Sequence, residues 1–393
     1  MGKKKLNISH MHWGFPPIIG GVETHLTILL PTLVAKGHKV NLLTGSFEGT
    51  KAEDKYEGVR IYREPIMDLN WLSTRGVNGL TEEVIDGFNK FIDNTKPNCL
   101  HVHNMHYFSK IHAALLQEVS RKKGIPLILT AHNVWDDNLF LDLTNKIRWT
   151  HIIAVSHFIK REIIGTGYKH SNITVIHHGI DQNAYSLKTK PGYILKKYPI
   201  LKGRKRIVFH PARMGLAKGC DVTIKAFRIV KGRFPDAILV LAGTKNIIDW
   251  SHSHQKDIAY MVSLVKFLNL RNNVLIDTYD LTDMPKLYAA SSVCVYPSTA
   301  SEPFGLTMLE ALASGKPMVV TEAGGMPEII KDGINGFIVP VKDFESLASR
   351  IIQLLSDGQL RDRLGYTGRQ IVEQQYTKEI VAENTLNLYR KFC

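Results

Sequence analysis

A chain of 393 residues is longer than one ordinary hydrophobic core sustains, so two domains are expected. Its 44% hydrophobic and 22% charged residues exclude a disordered chain, no apolar run approaches the ~20 residues of a membrane helix, and Met-Gly-Lys-Lys-Lys-Leu lacks the apolar stretch of a signal peptide. Cys99, Cys220, Cys294 and Cys393 have no metal-type spacing and read as reduced thiols, which suits a cytoplasmic protein.

The formal charge of +14 is uneven: residues 186–393 hold 29 Lys and Arg against 19 Asp and Glu. The densest run spans Lys188 to Arg206 without an acid. It reads first as a solvated linker, with attraction to an anionic membrane face as the alternative. Nucleic-acid binding is not expected, since only Tyr193 and Tyr198 interleave the cations.

Along the chain, Leu6–Ser9, Lys39–Leu43, Leu100–Val102, Leu127–Thr130, Ile152–Val155 and Thr174–Ile176 read as buried strands, alternating with helical patterns near 22–36, 81–94, 109–122 and 157–164. After the basic run the pattern restarts. Ile207–His210, Ile238–Ala242, Val274–Ile276, Val293–Tyr296 and Met318–Thr321 alternate with helices near 219–233, 255–268, 283–290 and 305–314, and three further helices cover 343–356, 360–374 and 377–391. Such alternation implies two doubly wound α/β units with parallel sheets, joined near 186–205. In open α/β sheets ligands sit beyond the carboxyl ends of the strands, so the residues just after each strand are the informative ones.

After the first strand, Gly20 and Gly21 form a turn at a helix start, where backbone can approach an anion. His101 and His103 end another strand; without acidic or Cys partners near in sequence they are not read as metal ligands. His132 follows the Leu127–Thr130 strand, where its ring can bond a sugar hydroxyl or its carbonyl can face a reacting centre. Arg213 and Lys218 follow Ile207–His210 and can clamp a diphosphate. The stretch Glu302-Pro-Phe-Gly-Leu-Thr-Met-Leu-Glu310 sets two carboxylates around a turn. Pro303 suits the first helical position, the N–H groups of Phe304, Gly305 and Leu306 form an anion seat, and the carboxylates suit hydroxyl-rich groups at either end of a diphosphate.

The joint pattern resembles the family 4 retaining glycosyltransferases of the GT-B fold. It is carried by Gly20-Gly21-Val22-Glu23, the His132 strand end, His178-Gly-Ile-Asp181, Arg213 with Lys218-Gly219, Tyr296-Pro-Ser298, Glu302 to Glu310, and Gly324-Gly-Met-Pro-Glu328. The resemblance implies two Rossmann-like domains facing an interdomain cleft: an acceptor domain over 1–185, a nucleotide-sugar domain over 186–376, and a last helix, 377–393, crossing back to the first domain. It implies that Glu302 holds hydroxyls of the transferred sugar, Glu310 the nucleotide ribose, and Arg213 and Lys218 the diphosphate, assisted by backbone N–H groups at Phe304–Leu306 and Gly21. Leu281 would touch the base, and His132, Arg213, Lys218 and Glu302 form the implied catalytic set. The chemistry implied retains the donor's anomeric configuration by front-face attack and needs neither metal nor cofactor. No D-x-D occurs in the sequence. UDP-glucose or UDP-N-acetylglucosamine is the donor that family frequency suggests.

The acceptor is less defined. His12, Trp13, His103, Tyr107, Trp135, Asp136 and Asp137 follow first-domain strands and are the candidates to line its pocket. Asp136, Asp137 and Asp142 suggest a small amine-bearing acceptor such as an aminocyclitol, although a solvated acidic loop also accounts for them. A lipid-linked or cell-envelope glycan at the inner membrane face is the alternative, and oligomeric state is open. Two departures from the family bear on acceptor contacts: A-H-N at His132, where many members carry an acid after the His, and the His- and Trp-rich loop before Gly20. From other classes, a GT-B phosphorylase would need a pyridoxal phosphate lysine that no local pattern suggests, and a silent sugar-nucleotide-binding protein would have little need of both glutamates with Arg213 and Lys218.

Overall fold

The computed structural model describes residues 4–76, 78–133, 145–168, 172–243 and 253–393. It divides into two compact units, Met1–Gly179 with Lys378–Cys393, and Ile180–Thr377. The helix Lys378–Phe392 is therefore part of the first unit, where Ala382, Leu386 and Tyr389 join a core with Ile8, Leu26, Leu30, Leu33 and Leu42.

The first unit holds β1 (Asn7–Met11), β2 (Lys39–Thr44), β3 (Glu53–Tyr56), β4 (Val59–Arg63), β5 (Cys99–His103), β6 (Leu127–Ala131), β7 (His151–Ala154) and β8 (Ile173–Val175) in one sheet of order β3-β4-β2-β1-β5-β6-β7-β8. All neighbours are parallel except β3 and β4. That hairpin is absent from the sequence expectation because β3 reads Glu-Asp-Lys-Tyr and is mostly exposed. An edge strand tolerates charges that a central strand does not, so apolar patterning cannot reveal it. Its turn is Glu57-Gly58, both at positive φ (45° and 85°), the geometry of a two-residue hairpin loop.

The second unit holds β9 (Ile207–His210), β10 (Ile238–Gly243), β11 (Val274–Thr278), β12 (Val293–Tyr296), β13 (Met318–Thr321) and β14 (Gly336–Val339), all parallel, in order β11-β10-β9-β12-β13-β14. The sequence reading also lacked β14. A Cβ at Gly336 would lie 2.2 Å from the carbonyl oxygen of Met318, so this short strand can sit beside β13 only with glycine there. The core joins Val208, Leu239, Leu241 and Val295 from the sheet to Phe227 and Leu354 from covering helices.

Each sheet reverses direction of growth once: between β1 and β5 in the first unit, between β9 and β12 in the second. Connections leave opposite faces there, opening a crevice at the carboxyl ends. The loops after β1, β5, β9 and β12 carry most of the residues singled out above.

Candidate active site

In the second unit, the loop after β9 meets the loop after β12 through Gly219. Its φ is 73°, and a Cβ there would lie 1.8 Å from the carbonyl oxygen of Pro297, so only glycine allows the approach. The approach brings Lys218 to Glu302: Nζ lies 2.7 Å from Oε2 and sits 5.6 Å above the Tyr296 ring. The Tyr296 hydroxyl, on the last residue of β12, donates to the same oxygen. Burial first, and then the Glu302 charge, push the Tyr296 hydroxyl well above its usual pKa, so it stays a donor. Glu302 Oε1 makes no hydrogen bond among the described residues, and Arg213 is exposed on the same loop as Lys218.

The Glu302 backbone is gripped from β13. Gly325 N–H donates to the Glu302 carbonyl at 2.7 Å, and a Cβ on Gly324 (φ 62°) would lie 2.4 Å from that same oxygen. The sequence places the next helix near 305–314, with Pro303 suited to its first position. The helix instead runs Leu306–Ala313 with Gly305 as its N-cap at φ 88°, a left-handed residue that helical geometry excludes. Phe304 is consequently not helical; its side chain is buried beside Tyr376. The N–H groups of the first turn, Leu306 onward, face the helix start, where they have no intrahelical partner.

Glu310, inside that helix, is buried rather than open: 8% of its surface is accessible. The Tyr288 hydroxyl donates to its Oε2 at 2.8 Å, and the Tyr185 hydroxyl bonds it as well. Burial raises the Glu310 pKa, opposed by these two bonds. Arg369 fixes the Tyr185 segment by donating to the carbonyls of Gln182 (2.9 Å), Tyr185 (2.9 Å) and Ala313 (2.6 Å). Tyr185, Tyr288 and Arg369 were not singled out from sequence. Nothing in their spacing marks them, because they come from three separate elements. Leu281 is exposed, and Tyr279 beside it is buried.

In the first unit, Gly20 caps the helix Gly21–Ala35 in an extended conformation. A Cβ on Gly21 would meet nothing within 4 Å, whereas one on Gly20 would lie 2.4 Å from the Glu23 carboxylate and one on Gly14 2.5 Å from it. Two glycines thus enclose a buried acid, which bonds His12 Nε2 at 3.0 Å, and His12 Nδ1 faces the His103 carbonyl oxygen at 3.1 Å. His12 thus faces an acceptor at each of its ring nitrogens.

This corrects the acceptor reading. His12 is 1% exposed with both ring nitrogens occupied, and His103 is equally buried, its nitrogens bonded to His10 and His132. Neither ring can offer an atom to a bound acceptor. His132 is also buried and has both ring nitrogens engaged, by His103 and His178, which removes its ring as a partner for a sugar hydroxyl and leaves its backbone. Trp13 is half-buried beside His12. The side chain of Tyr107 and all of Trp135, Asp136, Asp137 and Asp142 lie outside the described residues.

Comparison with known proteins matches this arrangement. The family description Glycosyltransferase Family 4 fits residues 19–184, and Glycosyl transferases group 1 fits residues 195–371. The chain is 27% identical to an uncharacterised glycosyltransferase of Methanocaldococcus jannaschii over 98% of both proteins. It is 26% identical to N-acetyl-alpha-D-glucosaminyl L-malate synthase of Bacillus anthracis over 95% of this chain and 94% of that one. The crystal structure of Anabaena HepE in complex with UDP-glucose superimposes with a TM-score of 0.78 at 20% identity, covering 98% of this chain and all of that one. With both family descriptions matched in sequence along most of its length, and two parallel-sheet α/β units of the GT-B type, the chain belongs to the family 4 glycosyltransferases.

Proposed function

We propose that the protein transfers a hexose from a UDP-sugar, UDP-glucose or UDP-N-acetylglucosamine, to a hydroxyl of a small-molecule acceptor, retaining the anomeric configuration. The observation that carries the donor side is the Glu302–Glu310 pair set on either side of the Gly305 turn, each glutamate held by tyrosine hydroxyls. Glu302 keeps Oε1 to accept from a sugar hydroxyl; Glu310 accepts from the ribose beside its two tyrosine donors. Arg213 and Lys218 bind the diphosphate, Lys218 moving from Glu302 to phosphate oxygen, with N–H groups at Gly305 and Leu306 adding to the seat. Exposed Leu281 packs on the base.

In the reaction, the bond from the anomeric carbon to the phosphate oxygen breaks and the acceptor oxygen bonds that carbon on the same face. The acceptor proton passes to the departing phosphate, whose growing charge Arg213 and Lys218 stabilise. A small acceptor is supported by the relative named for an L-malate product. An amine-bearing acceptor facing Asp136 and Asp137 remains the specific form of this proposal.

Nucleotide sugars at millimolar concentration should raise the melting temperature, since a ligand that binds only the folded state stabilises it by mass action. A UDP-sugar should do so, and Lys218→Ala should abolish the shift. Stabilisation by no nucleotide sugar would overturn the donor assignment. The anomeric coupling constant of the product then reads retention or inversion, and loss of acceptor affinity in Asp136→Asn with Asp137→Asn reads the amine.

A further inference from the structure

The first unit contains a feature that the donor and acceptor chemistry does not use. His10 on β1, His103 at the end of β5, His132 after β6 and His178 after β8 stand in line across four strands. His10 Nδ1 lies 3.0 Å from His103 Nε2, His103 Nδ1 2.9 Å from His132 Nε2, and His132 Nδ1 3.3 Å from His178 Nε2. All four rings are buried.

A neutral imidazole has one N–H and one bare nitrogen. Every contact in this line joins the Nδ1 of one ring to the Nε2 of the next. The rings therefore have two concordant states: all carry the proton on Nδ1, or all carry it on Nε2. His10 Nε2, the inner end of the line, is fully buried and has no hydrogen-bond partner among the described residues. In either state one end of the line carries a buried N–H, His178 Nδ1–H or His10 Nε2–H, so the contacts require one shared tautomer on all four rings without choosing between the two. Such concordant bonds polarise one another, so the line acts as one unit.

His101, beside it, belongs to a separate branch: its nitrogens bond the Tyr389 and Thr130 hydroxyls. The nitrogens of His10, His101 and His103 lie within 4.8 Å of one another, the spacing of a metal triad. Of these three rings, however, two have both nitrogens committed, and a divalent ion there would be buried among neutral ligands without a counter-charge.

We propose that His103 and His10 are positioning residues for His132, holding the end of β6 in place for sugar transfer through one tautomerically ordered chain of four neutral imidazoles. The placement is reinforced at the backbone, where His132 N–H donates to the Asn104 side chain at 2.8 Å. The effect on transfer rests on the glycosyltransferase reading; the tautomeric order does not.

The first measurement is nitrogen NMR of the full chain with labelled histidine. Four rings sharing one tautomer, all Nδ1–H or all Nε2–H, with through-hydrogen-bond couplings between successive nitrogens and no titration between pH 8 and pH 6, are expected. Mixed tautomers, absent couplings, or shifts showing a stoichiometric Zn²⁺ ion on titration with zinc alone would overturn the proposal. The second is kinetic. His103→Leu should lower kcat about tenfold or more with donor KM within about twofold, His103→Gln should recover part of the loss because its amide supplies both donor and acceptor, and His151→Leu, outside the line, should change neither. Wild-type kcat in His103→Leu would overturn the positioning role, while an inactive wild type with ordered tautomers would count against the proposed function alone.

Discussion

The two units hold their polar interiors by opposite means. Fourteen of the seventeen histidines fall within residues 1–179, and those around β1, β5 and β6 hydrogen-bond one another or backbone as buried, largely neutral rings. In the second unit the corresponding loops hold carboxylates, Glu302 and Glu310, satisfied by tyrosine hydroxyls and a lysine. A line of neutral rings bonded to one another gives a rigid edge with little left for a ligand. A carboxylate has more lone pairs than its tyrosines use, and an ion pair partly open to solvent can trade partners, which suits the proposed binding of a charged donor in the second unit.

Acid should separate the units most strongly. Burial lowers the pKa of His10 and of His25 from 6.5 to about 3, and holds His101, His103, His132 and His178 well below their usual range. The unfolded chain then binds more protons than the folded one between pH 6.5 and about 3, so stability present above pH 6.5 is lost as pH falls through that window. At ~1.4 kcal/mol per unit, His10 and His25 alone represent an amount comparable with the ~5–15 kcal/mol that keeps a domain folded. The second unit contains His210 with a similar depression, also to about 3, but Glu310 works the other way: its raised pKa means that protonation in acid relieves a buried charge. Peptide-resolved hydrogen exchange at stepped pH should show β1, β5 and β6 losing protection before β9, β10 and β12. Simultaneous loss would erase the distinction.

Charge exchange in the second unit predicts the next largest effects. Lys218→Ala should lower kcat/KM by roughly 10²–10³, the usual cost of removing a group that stabilises developing charge. The protein should remain folded, since the pair it breaks is partly solvated. Gly324→Ala should be milder in chemistry and harder on the fold. Its Cβ would collide with the Glu302 backbone at a φ of 62°, costing ~1–3 kcal/mol of stability and displacing Glu302, with a parallel rise in donor KM. A melting temperature and KM both equal to wild type would show that Glu302 is not set from β13.

The same contrast explains what the sequence made legible. Strands with continuous apolar runs, such as Ile238–Gly243, were visible because a parallel sheet buries both faces. The charged β3, its alternating neighbour β4 (Val59–Arg63) and the short β14 were not. Glu302, Lys218 and Arg213 stood out because charges in the loops after strands break the local pattern, and Glu310 because of its spacing from Glu302. The histidines were legible singly and misread: His12 and His103 look like pocket residues until their partners, brought from β5, the Glu23 turn and β1 by the sheet order, are known. The helix itself was legible to within a residue, but Pro303 does not begin it, because the left-handed Gly305 that sets the start at Leu306 has no signature beyond being glycine.

The smallest predicted effect tests whether Glu310 depends on its tyrosines as the histidines depend on one another. Tyr288→Phe removes the 2.8 Å bond to Oε2 but leaves the ring packed against Phe209 and Tyr185. The Tyr185 bond persists, so Glu310 keeps one donor, and the loss should resemble that of a single hydrogen bond to a charged group, ~1.5–3 kcal/mol at most and less if a ribose hydroxyl or water replaces it. With one lowering influence gone, the Glu310 pKa should rise further, so donor affinity should weaken several-fold at neutral pH and more steeply toward acid. Calorimetric titration of UDP at pH 6 and pH 8, in wild type and Tyr288→Phe, separates the cases. No loss at either pH value would mean that the tyrosine only packs, and that Glu310, unlike the linked histidines, holds its place alone.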